Sequence, residues 1–335
     1  MGRAVSRAAR DLTQVLAVPG RAVGFDDARW TAMLCAALAE RLGGTLAERL
    51  AGVAVPATVA TWCDNALVQA AQERRSALWE AEMARRALAP LGVPVVLLKG
   101  TAYAAGGLSA GRGRSIGDLD ILVPRDALDA VETALLAAGW EWVKPDPYDD
   151  AYYRRWMHEL PPLIHSSRDR MIDVHHTILP LTARPTPDAA LMLADSVVLP
   201  DGLRMLSAHD RIVHAAAHLF ADGDLAGGLR NLWDIHCLIG ESGPDGLSAR
   251  AALHGLEPAV ARAGRLAHAL YGTAVPEDWR RLTVADRLFR RRLLAVDGWG
   301  RDVRRGTRLA FYVRSHWLRM PPAMLARHLW TKARR

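Results

Sequence analysis

Apolar positions recur every three to four residues through most of residues 1–92, a spacing that puts them on one face of successive helices. Residues 30–39 form one such run, and residues 58–89 form a longer one rich in Ala, Glu and Arg, which favour helix. Pro56 and Thr58 suit the start of that second helix, and Pro90 and Gly92 end it. From Val93 the pattern changes. Residues 93–98 are a continuous apolar run that predicts a strand, and a small-residue segment over 100–113 follows it. Residues 114–123 then alternate, with Leu119, Ile121 and Val123 on one face of a strand and Asp118 and Asp120 on the other. Pro124 to Asp126 open a helix over 127–138, which Gly139 stops. Residues 140–143 predict a short strand and 145–150 a polar loop, after which residues 156–165 pair with 171–176 across a Ser-Ser-Arg-Asp-Arg turn. Beyond Pro187 helical spacing returns over 188–195, 207–220 and 225–239, with Ser207 as an N-cap.

Helices, then strands, then helices predict an α/β (α+β) fold. A core with a small mixed sheet at residues 93–200 is flanked by a helical segment at 1–92 and a helical region at 201–335. A hydrophobic fraction of 50% over 335 residues is ample for a buried core. Cys35, Cys63 and Cys237 are odd in number, widely spaced and set in apolar helical contexts, so they read as reduced thiols of a cytoplasmic protein, not as a disulfide framework or zinc knuckle. No apolar run approaches the ~20 residues of a membrane span, and no signal peptide is evident.

Charge is unevenly spread. Residues 280–335 hold sixteen basic residues against Asp286, Asp297 and Asp302, a balance of +13 that leaves −6 for the rest of a +7 chain. Trp299, Phe311, Tyr312, Trp317 and Trp330 interleave with these arginines, and Pro321-Pro322 precedes a final helix expected over 324–332. A solvated helical surface with snorkelling arginines, a nucleic-acid contact and an anionic membrane contact all suit this mix. Lysine, by contrast, occurs only at 99, 144 and 332. A compact ammonium at Lys99, directly after a predicted strand, suits a place near phosphates that the broad fork of Arg would not fill.

The candidate chemistry lies in the alternating strand. Asp118 and Asp120, side by side, repel unless a cation sits between them, and their hard oxygens suit Mg²⁺. The predicted hairpin returns Asp173 beside them; the plain alternative is a solvated strand end. Leu98-Lys99-Gly100, then Arg114-x-x-Gly117-Asp118-Leu119-Asp120 with its apolar continuation, then Ile172-Asp173-Val174-His175, make an ordered set. That set resembles the uncharacterised nucleotidyltransferase family of the DNA polymerase beta superfamily, and the resemblance runs over about 93–238.

The resemblance implies a polymerase-beta-like core that transfers a nucleoside monophosphate from an NTP, ATP included, with Mg²⁺ or Mn²⁺. It implies Asp118, Asp120 and Asp173 as catalytic metal ligands. It also implies Lys99, Gly100, Thr101, Arg114, Gly117 and His175 around the nucleotide, with the triphosphate against the turn after the first strand. The superfamily usually shows Gly-Gly or Gly-Ser ahead of its Asp-x-Asp, so Gly106-Gly107 competes with Lys99-Gly100-Thr101 for that turn. His158 recurs in the family's pattern too. The acceptor stays open among RNA, a peptide and a small molecule, because the core motifs handle the triphosphate. A toxin-like RNA modifier or phosphotransferase on the same scaffold, and a catalytically silent binding protein, are the alternatives. His214 and His218, one helical turn apart, have a spacing that zinc accepts, but no Glu follows the first, and a helix lining a cleft or plain packing serves equally. Asp234 fits a downstream position of the family as well as it fits an ion pair.

Overall fold

The computed structural model describes residues 7–221 and 224–319 together with Trp330. The helix expected from Met324 onward falls, but for Trp330, outside these described residues.

Four helices lead into the sheet: α1 (Arg7–Ala17), α2 (Asp27–Ala39), α3 (Gly43–Arg49) and α4 (Ala57–Leu88). Asp26 caps α2 by accepting the Arg29 backbone N–H, and Asp11 of α1 accepts two hydrogen bonds at 2.8 Å from the Arg29 guanidinium. The long α4 follows the predicted run closely, with Pro56 at its N-cap and Gly92 at φ 65° beyond its end. Its buried face is largely Ala70, Ala77, Ala81 and Ala84, small enough for its backbone to come close to the elements it covers. These are α3, α5 (Lys99–Ala105), α6 (Leu128–Ala137) and the central strand β2 (Leu119–Leu122).

The sheet is mixed and seven-stranded, in the order β3 (Trp140–Trp142), β4 (Leu163–His165), β5 (Met171–His175), β2, β1 (Val96–Leu97), β7 (Arg204–Met205) and β6 (Val197–Val198). β2 and β5 run parallel, while β1 lies antiparallel to β2 and parallel to β7. The β4–β5 hairpin pairs Leu163 with Ile172, as the predicted turn requires, and Asp169 takes φ 53° in it. The register of β2 on β5 sets Leu119 opposite Ile172 and Asp120 opposite Asp173.

Several expectations are corrected. The first strand is two residues long because Pro94 lacks an N–H and Lys99 already opens α5, so the small-residue segment over 100–113 is a helix and a short 3₁₀ turn. The polar loop at 145–150 is the start of α7 (Pro147–Trp156): Asp146 caps it, accepting from Tyr148 and Asp149 N–H, and Pro147 sits where a helix tolerates proline. The first hairpin arm is shorter than expected, since Pro161-Pro162 interrupt pairing and leave an isolated bridge between Glu159 and His175. The β6–β7 hairpin, turned at Gly202 with φ 82°, adds strands from the far side of Pro187 that the helical reading there did not foresee.

After α8 (Ala189–Ala194) and this hairpin come α9 (Ala208–Ala221), α10 (Gly228–Ser242), α11 (Leu247–Leu253), α12 (Glu257–Tyr271), α13 (Val284–Leu293) and α14 (Arg305–Arg319). Buried aspartates tie this bundle together. Asp210, 0% exposed, accepts from Ser207 Oγ and from the Arg250 guanidinium, and faces His254 Nε2 at 3.2 Å. Asp286 closes a capping box with Thr283 and receives Arg262 and Arg265. At the basic end Arg292 is buried against Asp302 and the Asp224 carbonyl, and Arg308 pairs with Asp224. Trp299, Tyr312 and Trp317 stay exposed. One hydrophobic cluster runs from Ala8 through the sheet to Phe311. Among the described residues no helix is long and apolar enough to cross a membrane.

Candidate active site

Asp118 stands exposed just before β2, and Asp120 is buried within it. The parallel register carries Asp173 of β5 alongside, and the carboxylates of Asp118, Asp120 and Asp173 approach within 4.8 Å of one another. Burial, then Asp120, Glu159 and Asp118, push the Asp173 carboxyl up to about 7, the response of an acid crowded by acids with too little positive charge among them. The three expected carboxylates therefore converge, and their donor set is one of hard oxygens suited to Mg²⁺.

Lys99 and His175 hold Asp120 from behind. Lys99 Nζ lies 2.7 Å from its Oδ1, and His175 Nε2 lies 3.0 Å from the same oxygen. Burial raises the Asp120 carboxyl, but Lys99 and His175 together outweigh it and keep the group well below the usual carboxylate range. Lys99 adopts φ 47° at the first position of α5, a left-handed conformation costly for a side chain with a Cβ and here held by the ion pair.

A cavity of about 730 Å³ opens over this cluster. Lys99, Gly100, Arg114 and Gly117 line it. Thr101 and His175 do not. The helical turn that starts at Lys99 swings Thr101 into the core, 1% exposed with its Oγ1 unbonded, and His175 is 2% exposed behind Asp120. Gly106 and Gly107 end α5 away from the cavity, with Gly106 against Met205, so of the two competing turns only Lys99-Gly100 faces it. Gly100 must lack a Cβ, since one there would overlap the Arg114 guanidinium.

Arg114 is not a free phosphate ligand. Its Nε donates to Asp234 Oδ2 at 3.0 Å, and Arg230 Nη1 donates to Asp234 Oδ1 at 3.2 Å. One buried carboxylate thus balances two guanidiniums, leaving net positive charge on this part of the cavity lining, which the exposed Arg41 joins. Arg230 is fixed further by donating to the Arg41 carbonyl and to Thr45 Oγ1. Glu40 completes this wall by accepting from the Leu229 N–H in the first turn of α10, and its burial pushes it up to about 7. Arg230, Glu40 and Glu159 escaped the sequence reading. Arg230, at four residues from Asp234 on a helix, was the one with a local signal. His218 lines the cavity from α9, while His214 is 4% exposed, its imidazole held well below the usual range by burial. Among the described residues the groups able to hold a metal are the aspartate trio and a second set of His158, Glu159 and His175.

A family model described as an uncharacterised nucleotidyltransferase matches residues 26–272, reaching from α2 to the end of α12. No curated protein matches the chain.

Proposed function

The chain belongs to the uncharacterised nucleotidyltransferase family, and on that premise we propose that it transfers a nucleoside monophosphate from an NTP to an acceptor hydroxyl with the help of Mg²⁺. The observation that carries this reading is the convergence of Asp118, Asp120 and Asp173 within 4.8 Å in the lining of a cavity that Arg41, Arg114 and Arg230 also line. In the transfer the acceptor oxygen bonds to the α-phosphorus, the bond from that phosphorus to the bridging oxygen breaks, and pyrophosphate leaves. Such a reaction needs positioning and charge stabilisation more than covalent help. When bound at the three aspartates, Mg²⁺ would neutralise phosphate charge and lower the barrier to acceptor attack.

The chain's own residues supply the rest. Lys99 and His175 hold Asp120 ionised and in place. Asp173 would be the third carboxylate at the metal that activates the acceptor hydroxyl, whose proton leaves to solvent. Arg114, locked on Asp234, offers its remaining N–H groups to phosphate oxygens without having to be ordered on binding, while Arg230, bonded to Asp234, Thr45 and the Arg41 carbonyl, adds positive charge behind it. Mn²⁺ would serve in place of Mg²⁺, and ATP is one of the four nucleotides to test.

The deciding experiment incubates the full chain with each α-labelled NTP and Mg²⁺, alone and with total RNA or cell lysate. Label should pass to one class of acceptor, and Asp118→Asn or Asp120→Asn should cut the rate by ~10²-fold or more while leaving the fold intact. Wild-type rates in both variants would remove the three aspartates from the reaction.

A further inference from the structure

Beside the aspartates lies a second, chemically different donor set. His158 and Glu159 precede the Pro161-Pro162 break, and the bridge from Glu159 to His175 holds them against the end of β5. Glu159 Oε2 lies 3.4 Å from His175 Nδ1 and 3.6 Å from His158 Nε2, and one donor atom from each of the three falls within 4.8 Å of the others. The two imidazoles lie with centroids 5.2 Å apart and their planes tilted by 36°.

His175 makes this cluster more than a chance meeting. Its Nε2 faces the Asp120 carboxylate at 3.0 Å, and that oxygen, already paired with Lys99, can only accept, so the ring proton belongs on Nε2. Nδ1 is then left as a buried lone pair. It makes no hydrogen bond, although the ring is 2% exposed and Nδ1 points at a carboxylate oxygen. A charged N–H···O bond would draw the pair to about 2.7–2.9 Å. The observed 3.4 and 3.6 Å instead approach the ~3.3–3.4 Å edge of a tetrahedron built on metal–ligand bonds of ~2.0–2.1 Å. A histidine whose other ring nitrogen donates to a carboxylate is also the arrangement that orients metal-ligating imidazoles.

We propose that His158, Glu159 and His175 form a site for a transition-metal dication of the zinc class, distinct from the all-oxygen aspartate site and joined to it through the His175–Asp120 hydrogen bond. Two imidazoles and one carboxylate are ligands that Zn²⁺ or Co²⁺ accepts and Mg²⁺ does not favour. With three protein ligands the fourth place goes to a water or a substrate atom, the pattern of catalytic zinc centres and not of structural ones. His158 and Glu159 line the same cavity as the aspartates, so that fourth ligand would meet whatever binds there.

Titration of the full, untagged chain with Co²⁺ tests the site by absorption, because four-coordinate cobalt gives intense visible bands and six-coordinate oxygen-bound cobalt weak ones. One equivalent should produce the intense bands, and Zn²⁺ should abolish them while Mg²⁺ in excess should not. Glu159→Gln and His158→Ala should each remove the bands. Asp118→Asn should keep them even where it stops nucleotidyl transfer, so the test stands whether or not the aspartates act as proposed. If His158→Ala does not fold, the partly exposed Glu159→Gln decides alone. Absence of the bands in the wild type, their survival in Glu159→Gln, or their loss in Asp118→Asn would overturn the proposal.

Discussion

Glu40 gives a prediction whose size follows from its surroundings. The residue is 4% exposed, and burial lifts its carboxyl from 4.5 to about 7 against the opposing pull of the Leu229 N–H and the Arg292 guanidinium. Between those two values the folded protein holds a proton that the unfolded chain releases. Glu40's contribution to stability is therefore complete below pH ~4.5, is lost as the pH rises through ~7, and is flat above that. A shift of that size corresponds to ~3 kcal/mol between the two ends.

Glu40→Gln stays neutral throughout and keeps a side-chain oxygen to accept the Leu229 N–H, now at 3.0 Å. The variant should match the wild type near pH 4.5 and exceed it by ~3 kcal/mol at pH 8. For a chain of 335 residues that is about 4 °C in thermal midpoint. Melting both proteins from pH 4.5 to 8.5 reads the difference directly. The buried imidazoles of His158, His214 and His236, lowered by burial, push in the opposite sense, but they are common to both proteins and cancel. A difference that does not change with pH, or one that favours the wild type at pH 8, would refute the account of Glu40.

Mg²⁺ bound as proposed would displace the proton that crowding leaves on Asp173, so its affinity should climb as the pH rises through about 7 and level off above; a flat isothermal titration series over pH 6 to 8.5 would sink this. Lys99→Arg should raise KM for the NTP, because the wide guanidinium cannot sit 2.7 Å from Asp120 in the space of an ammonium at φ 47°, and unchanged steady-state kinetics would make the lysine incidental. Asp210→Ala takes the buried carboxylate from Ser207 and His254 and leaves Arg250 with Asp195 alone, which should cost ~1.5–3 kcal/mol in denaturant unfolding, whereas a loss under ~0.5 kcal/mol would mean the cluster contributes little.

The sequence by itself determined the features that depend on near neighbours. The 3.6-residue spacing and bounding prolines of α4, the two-residue alternation that pairs Asp118 with Asp120, and the turn that folds Met171 to His175 back are local, so they survived into the structure. The same locality explains why the aspartate trio was legible in the sequence: once a short hairpin is granted, Asp173 has few places to go. The start of α7 was written locally too, in Asp146-Pro147, but polar composition masked the cap.

Tertiary structure alone decided which charges are free and which are spent. Arg114 finds Asp234 across 120 positions, and Glu40 and Arg41 reach α10 across 189, contacts that no periodicity announces. Lys99, expected near phosphates, lines the cavity and is also the partner of Asp120; His175, expected at the nucleotide, lies buried behind that carboxylate. Burial sets these outcomes. Removing a charged group from water is so costly that the packed chain must bring it a partner, and only the long-range packing specifies which one.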